Sequence, residues 1–434
     1  MNTSTDDEVS SFQTGFALRP DLVFPVRSAD DVVTAVRHAA GARLPVTVLA
    51  TGHGLPGAVE GGALISTRRM DRVTIDPAAR TARVQAGVRW GQVVEAAEPY
   101  GLAPLNGSAP GVGAVSYTLG GGLGILAREF GYAADHVRSL DVVTADGQLR
   151  HVTEESELYW GLLGGGHRLG VVTELEIGLV PVRTLYGGSL AFDGREVDPG
   201  DALRAYKEWT GTVPSTLTSS FAAVPYPDIP ALPPHLRGRY VVSVRVAHTG
   251  ADGGRLVAPL REVGPVLADS LREMPYAESH TIHSDPDFPH SYYGDSAVLG
   301  ELDVERAAEL LARTGPGAGD GGPPARANSS VGEVVVQINH LGGALARPAP
   351  NSVPYREGRF LLRLLTGGGR QKARELLDPA FRLLSATTLG RTVNFAFGAG
   401  DRTEGLYDAE TRKRLAELES RYDPASLFGR RVSA

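Results

Sequence analysis

Residues 50–66 read ATGHGLPGAVEGGALIS. One histidine, His53, stands between two glycines at the end of an apolar run. Glycine lacks a Cβ and tolerates positive φ, so a turn of this composition is almost wholly backbone. Its N–H groups can converge on an anion at close range. Three more glycine-dense segments follow, at 107–113, 120–124 and 164–170. One such loop carries little information. A set of them in one domain, two following apolar runs, points to a long diphosphate-bearing cofactor. Tight hairpin turns in a glycine-rich protein are the plainer alternative. A Rossmann fold is a third reading, since Gly122-Leu123-Gly124 with Ala127 fits G-x-G-x-x-A and Asp141 lies near the expected acid. That motif, however, sits deep in the chain with no clean βαβ unit around it.

Composition narrows the choice. At 434 residues, two domains and a large core are expected. A net charge of -7 argues against nucleic acid and against an anionic membrane surface as partners. The chain has no cysteine. Disulfides, thiol nucleophiles, iron–sulfur clusters and Cys-ligated zinc are therefore excluded, and a covalent cofactor link must use another side chain. The N-terminal MNTSTDDEVSSFQTGF is polar and acidic, unlike a signal peptide. No apolar run approaches the length of a membrane span. The expectation is a soluble, cytoplasmic protein.

Residues 1–20 read as a tail. From there to 185 the pattern is α+β. Ser28 is an N-cap for an amphipathic helix, strands follow at 46–50, ALISTR, VTID and TARVQAGV, and a hairpin turns at Ala145-Asp146-Gly147. WGQVVEAAEPYG and ELYWGLLGGG are helical, and VVTELEIGLVPV is a long strand. From 186 the pattern is an antiparallel sheet with helices on one side, predicted at 199–209, 303–314 and 370–385. SLAFDG and RYVVSVRVAHTG are strands. In VGEVVVQINHLGGA, period two puts Glu333, Val335, Gln337 and Asn339 on one face and His340 on the other. PYPDIPALPPHLRG and 315–330 read as surface loops. A helix, DAETRKRLAELESRY, precedes the terminal DPASLFGRR.

Taken in order, the motifs are VRSADDVVTAVRHA, LPVTVLATGHG, the run from VQAGVRWGQ to FGYAADHV, VVTADGQ, ELYWGLLGGGHRLGVVTELEIGLVPV and RYDPASLF. Together they resemble the FAD-linked oxidases of the vanillyl-alcohol-oxidase (PCMH) type, in the berberine-bridge-enzyme-like branch. The resemblance is strongest over 22–185 and returns at HLGGALARPA, VPYREGRF and VNF. It implies an α+β chain with a two-part FAD-binding domain (21–185) closed by the C-terminal segment (389–434). An inserted antiparallel-sheet substrate domain (186–388), backed by helices, lies between. It also implies FAD held by a single covalent link through His53. Relatives with two links use a cysteine where this chain has Ala109. The other FAD contacts it implies are Leu49, Ala50, Thr51, Gly52 and Gly54 in the first loop, and Pro110, Val112, Gly113, Gly121, Gly122 and Gly124 in the second. Asp135, His136 and Val137 fall at the adenosine end, Gly165, Gly170 and Val172 in the third loop, and Asn394 and Phe395 in the returning segment. His167, Arg168 and Leu169 depart from the family's Gly-Asn-Phe, and Leu163 replaces an arginine.

The family's two usual bases are absent, because Thr392 and Arg363-Leu364 occupy those positions. The candidates left for catalysis are Tyr117, Glu333, His340 and Tyr355. The implied reaction is oxidation of a small organic, specialised-metabolite substrate, with hydride passing to the flavin and O2 as final acceptor. A monooxygenase of the same fold and a non-catalytic flavoprotein that sequesters a ligand are the alternatives. A homodimer is common among such proteins. The segment ESHTIHSDPDFPH, with His280, His283, His290, Asp285 and Asp287, lacks the regular spacing of a metal site and is read as bordering the substrate entrance or a dimer contact.

Overall fold

The computed structural model of the chain describes residues 5–315, 334–367, 369–398 and 402–429. Ser28 opens the first long helix, Ala29–Ala42, as its hydroxyl accepts the Asp31 N–H while the Asp31 carboxylate takes the Ser28 N–H. Val32, Ala35, Val36 and Ala39 form its buried stripe. They pack on a small parallel sheet in which Ala63–Ser66 lies between Leu22–Pro25 and Val46–Leu49. The glycine loop leaves the C-terminal end of Val46–Leu49.

An antiparallel sheet follows, in the order Val73–Asp76, Thr81–Gln85, Val171–Gly178, Val137–Val143, Leu149–Val152. The helices Trp90–Ala97, Ala114–Leu119 and Glu157–Gly165 share its core through Trp90, Val93, Leu119 and Leu162. Gly147 takes φ 69° in the tight turn of the 137–152 hairpin.

The third body is a nine-stranded antiparallel sheet running from Thr184–Asp193 to Thr388–Gly390 in sequence. Helices Pro199–Thr210, Val304–Thr314 and Arg370–Leu383 cover one face, burying Tyr206, Phe221, Val336, Leu362 and Leu377 between the layers. The other face looks into a cleft. Three of its strands, Leu217–Pro225, Tyr293–Leu299 and Phe360–Thr366, are not apparent in the sequence. Their sequences, LTSSFAAVP, YGDSAVL and FLLRLLT, lack the period-two alternation that marks a strand.

The chain then returns. Beyond the helix Ala409–Tyr422, Asp423 accepts the N–H groups of Leu427 and Phe428, and Val46 donates to the Leu427 carbonyl at 2.7 Å. Leu427 and Phe428 enter the core of the first sheet. The whole is α+β, with large antiparallel sheets and helices on one face. No described helix is long and apolar enough to cross a membrane.

Candidate active site

A cleft of about 2060 Å³ runs from the first glycine loop to the open face of the large sheet. Small-molecule sites commonly enclose ~300–1,000 Å³, so a dinucleotide and a second molecule fit together. Leu49, Ala50, Thr51, Gly52, His53 and Gly54 all line it. Gly57 lines it too, and a Cβ on Gly54 or Gly57 would meet no protein atom within 4 Å. Glycine there leaves passage for a ligand rather than for neighbouring side chains.

The imidazole of His53 stacks on Phe12, with centroids 3.8 Å apart and 13° between planes. Its Nδ1 lies 2.8 Å from the Thr51 hydroxyl, and its carbonyl accepts from Tyr292. A Cβ on Gly111 would lie 3.7 Å from both Cε1 and Nε2, so glycine there leaves that edge of the ring uncovered. Burial, then the positive fields of Arg89 and His290, push the His53 pKa down to about 4. At neutral pH the ring is uncharged and keeps a nitrogen lone pair.

The other expected residues divide. Val112, Gly124, Gly165, Asn394 and Phe395 line the cleft with the first loop. Asn394 donates to the Tyr117 carbonyl at 3.0 Å and packs so closely on Gly120 that a Cβ there would fall 1.7 Å from its Oδ1. Pro110 accepts the Gly91 N–H, and Gly113 precedes the helix Ala114–Leu119, against Thr51 and Ala50. Gly121 and Gly122, at φ 105° and 77°, turn the chain under Tyr117 and Tyr132. Asp135, His136 and Val137 do not face the cleft. Asp135 pairs with Arg356 at 2.6 Å and Asn351 at 2.8 Å, His136 reaches the Phe130 carbonyl, and the Val137 carbonyl takes the Tyr159 hydroxyl. Gly170 and Val172 sit at and within the strand Val171–Gly178, packed on Val142–Val143.

Of the residues expected in catalysis, Tyr117 reaches the cleft. Its buried hydroxyl has no partner among the described residues, and burial raises its pKa, so it stays a neutral phenol. His340 lies on the opposite strand face, stacked on Phe360 at 5.4 Å. Tyr355 donates to the Gly405 carbonyl at 2.9 Å, away from the cleft. Glu333 lies outside the described residues.

At the far end stands a polar group, of which the strand face and the His283–Asp285 segment were expected and the two arginines were not. Val335, Gln337 and Asn339 face the cleft from the large sheet. Beside them stand Arg245, 7% exposed, and Arg363, whose guanidinium lies 3.7 Å over the Phe395 ring. Asp285, with its carboxylate bound by the Ser108 hydroxyl, and His283 close that end. Burial and the nearby arginines keep His283 uncharged; against the cost of burial, the arginines and the Ser108 bond hold Asp285 ionised. The available signal was a lone arginine in each of two apolar strands, YVVSVRVAH and FLLRLLT.

Residues 20–153 match the FAD binding domain family. The chain is 28% identical to (R)-6-hydroxynicotine oxidase of Paenarthrobacter nicotinovorans over 94% of its own length and 90% of that protein's. The chain is an FAD-linked oxidoreductase. The fold agrees across nearly the full length. The crystal structure of 6-hydroxy-D-nicotine oxidase from Arthrobacter nicotinovorans superposes with a TM-score of 0.81 at 23% identity, covering 98% of this chain and 94% of that one. Glucooligosaccharide oxidase from Acremonium strictum superposes with a TM-score of 0.80 at 18% identity, covering 100% and 95%. Its flavin is described as 6-S-cysteinyl, 8α-N1-histidyl FAD. The oxidoreductase's first glycine loop, its uncovered His53 edge and its long cleft are a set that suits FAD.

Proposed function

We propose that this oxidoreductase oxidises a small organic molecule of specialised metabolism, with FAD bonded to His53 and O2 as final acceptor. The observation that carries the reading is the single cleft joining the His53 loop to the polar face of the large sheet. Bound FAD would supply the two-electron acceptor. The chain's own residues supply the rest. Thr51 and Phe12 fix the His53 ring in angle and position. Ala109 and the lack of any cysteine leave no sulfur for a second link. Tyr117 offers a donor hydroxyl in a place shielded from water.

The test is oxidation under air of a panel of small alcohols, phenols and amines by the yellow purified protein. Hydrogen peroxide in step with oxidised product is expected. Labelled oxygen from O2 appearing in the product would overturn the oxidase reading in favour of a monooxygenase. Tight binding of a compound that never reduces the flavin would favour sequestration.

A further inference from the structure

Arg245 and Arg363 stand on the same face of the large sheet as Ser220, Gln337 and Asn339. Ser220 is paired opposite both Arg245 and Asn339, and Gln337 opposite Arg363. All of these line the cleft. Four buried polar atoms there lack partners among the described residues: Arg245 Nη1, Arg363 Nε, Asn339 Oδ1 and Ser220 Oγ. Among the described residues neither guanidinium has an ion pair or a hydrogen-bonded acceptor. Leaving a buried cation without an acceptor is costly, so a fold that keeps two of them has a use for them. Asp285 balances one of the two charges through space and is itself engaged by Ser108. One positive charge remains, facing the cleft. A guanidinium is a planar fork of donors, matched to the two oxygens of a carboxylate. The surrounding wall is apolar, from Val224, Leu232, Ile282 and Phe288.

We propose that the cleft binds its substrate as a carboxylate, an organic acid with an apolar body, whose two oxygens are received by Arg245 and Arg363. The Asn339 and Ser220 side chains lie between the arginines' strands and can reach other polar atoms of the same molecule. That the bound acid is the substrate rests on the oxidase reading above; that an acid binds here does not.

The test is calorimetric titration of the flavin-loaded protein with two acid–amide pairs, benzoate against benzamide and trans-cinnamate against cinnamamide. Each acid is expected to bind at least tenfold more tightly than its amide. Arg245→Gln and Arg363→Gln should each weaken acid binding at least tenfold while leaving flavin content unchanged. Arg245→Lys, which keeps the charge and loses the fork, should fall between. Equal affinity for acid and amide would overturn the proposal, as would no binding of either acid at millimolar concentration. Loss of flavin with unchanged acid affinity in the glutamine variants would also overturn it, by assigning the guanidiniums to the cofactor. A protein that binds acids selectively but releases no peroxide would fail the oxidase reading and leave this one standing.

Discussion

Asp295 is 3% exposed and receives two parallel bonds from Arg391, Nε to Oδ1 at 2.8 Å and Nη2 to Oδ2 at 2.7 Å. Arg391 also donates to the carbonyls of Arg402 and Glu404. The pair therefore fastens the strand Tyr293–Leu299 to the returning segment that carries Asn394 and Phe395 into the cleft. Asp295→Ala removes one partner and leaves a guanidinium, 12% exposed, facing a void. Breaking a buried pair from one side costs about 3–5 kcal/mol. The two surviving carbonyl acceptors place this case at the lower end, about 3 kcal/mol. With ~2–4 °C per kcal/mol for domains of moderate size, the thermal midpoint should fall by roughly 6 °C. Differential scanning fluorimetry read on both tryptophan and flavin emission is the assay. Flavin emission should change first, because the segment against the cleft loosens before the core. Replacing both partners, as Asp295→Ala with Arg391→Met, should recover most of the loss, since an apolar pair leaves no buried charge. A midpoint moved by less than about 1 °C, or a double variant no better than the single one, would refute the reasoning.

Gly120→Ala would drive a methyl into Asn394 Oδ1 and break its bond to the Tyr117 carbonyl. A loss of about 1–3 kcal/mol from overpacking and a lower flavin-to-protein absorbance ratio are expected. Tyr117→Phe deletes a buried hydroxyl that has no partner, so its thermal midpoint should hold or rise; a clear fall would reveal a hidden bond. Burial, then the charges of Arg128, Arg359 and Lys207, push the His340 pKa down to about 3. Between pH 6.5 and 4 the unfolded chain binds a proton that the folded one refuses. The contribution of His340 is therefore whole above pH 6.5 and declines on acidification, by about 3 kcal/mol at pH 4. His340→Gln should flatten urea-denaturation midpoints across that range.

Local rules made much of the fold legible. The Ser28 N-cap and the Gly147 hairpin are short-range chemistry, and each stands where the sequence puts it. The glycine loops and His53 were legible for the same reason, since turn residues advertise themselves. Leu217–Pro225, Tyr293–Leu299 and Phe360–Thr366 of the large sheet were not, because their residues do not alternate with period two. The meeting of the two arginines at the acid-binding end of the cleft was hidden for a different reason. Arg245, Asp285 and Arg363 lie far apart in sequence, and only the pairing of four strands and the loop carrying Asp285 bring their charges within reach of one another. The sequence offered Tyr355 and His340 on motif and face, whereas packing turned one toward Gly405 and the other toward Phe360.

The attachment of flavin to His53 is open to direct weighing. Trypsin releases Leu44–Arg68, whose one histidine is His53. From denatured, acid-precipitated protein this peptide should appear heavier by one FAD, and from His53→Ala at its bare mass. The bare peptide from the unaltered protein, with all the flavin left in the acid supernatant, would contradict the tether.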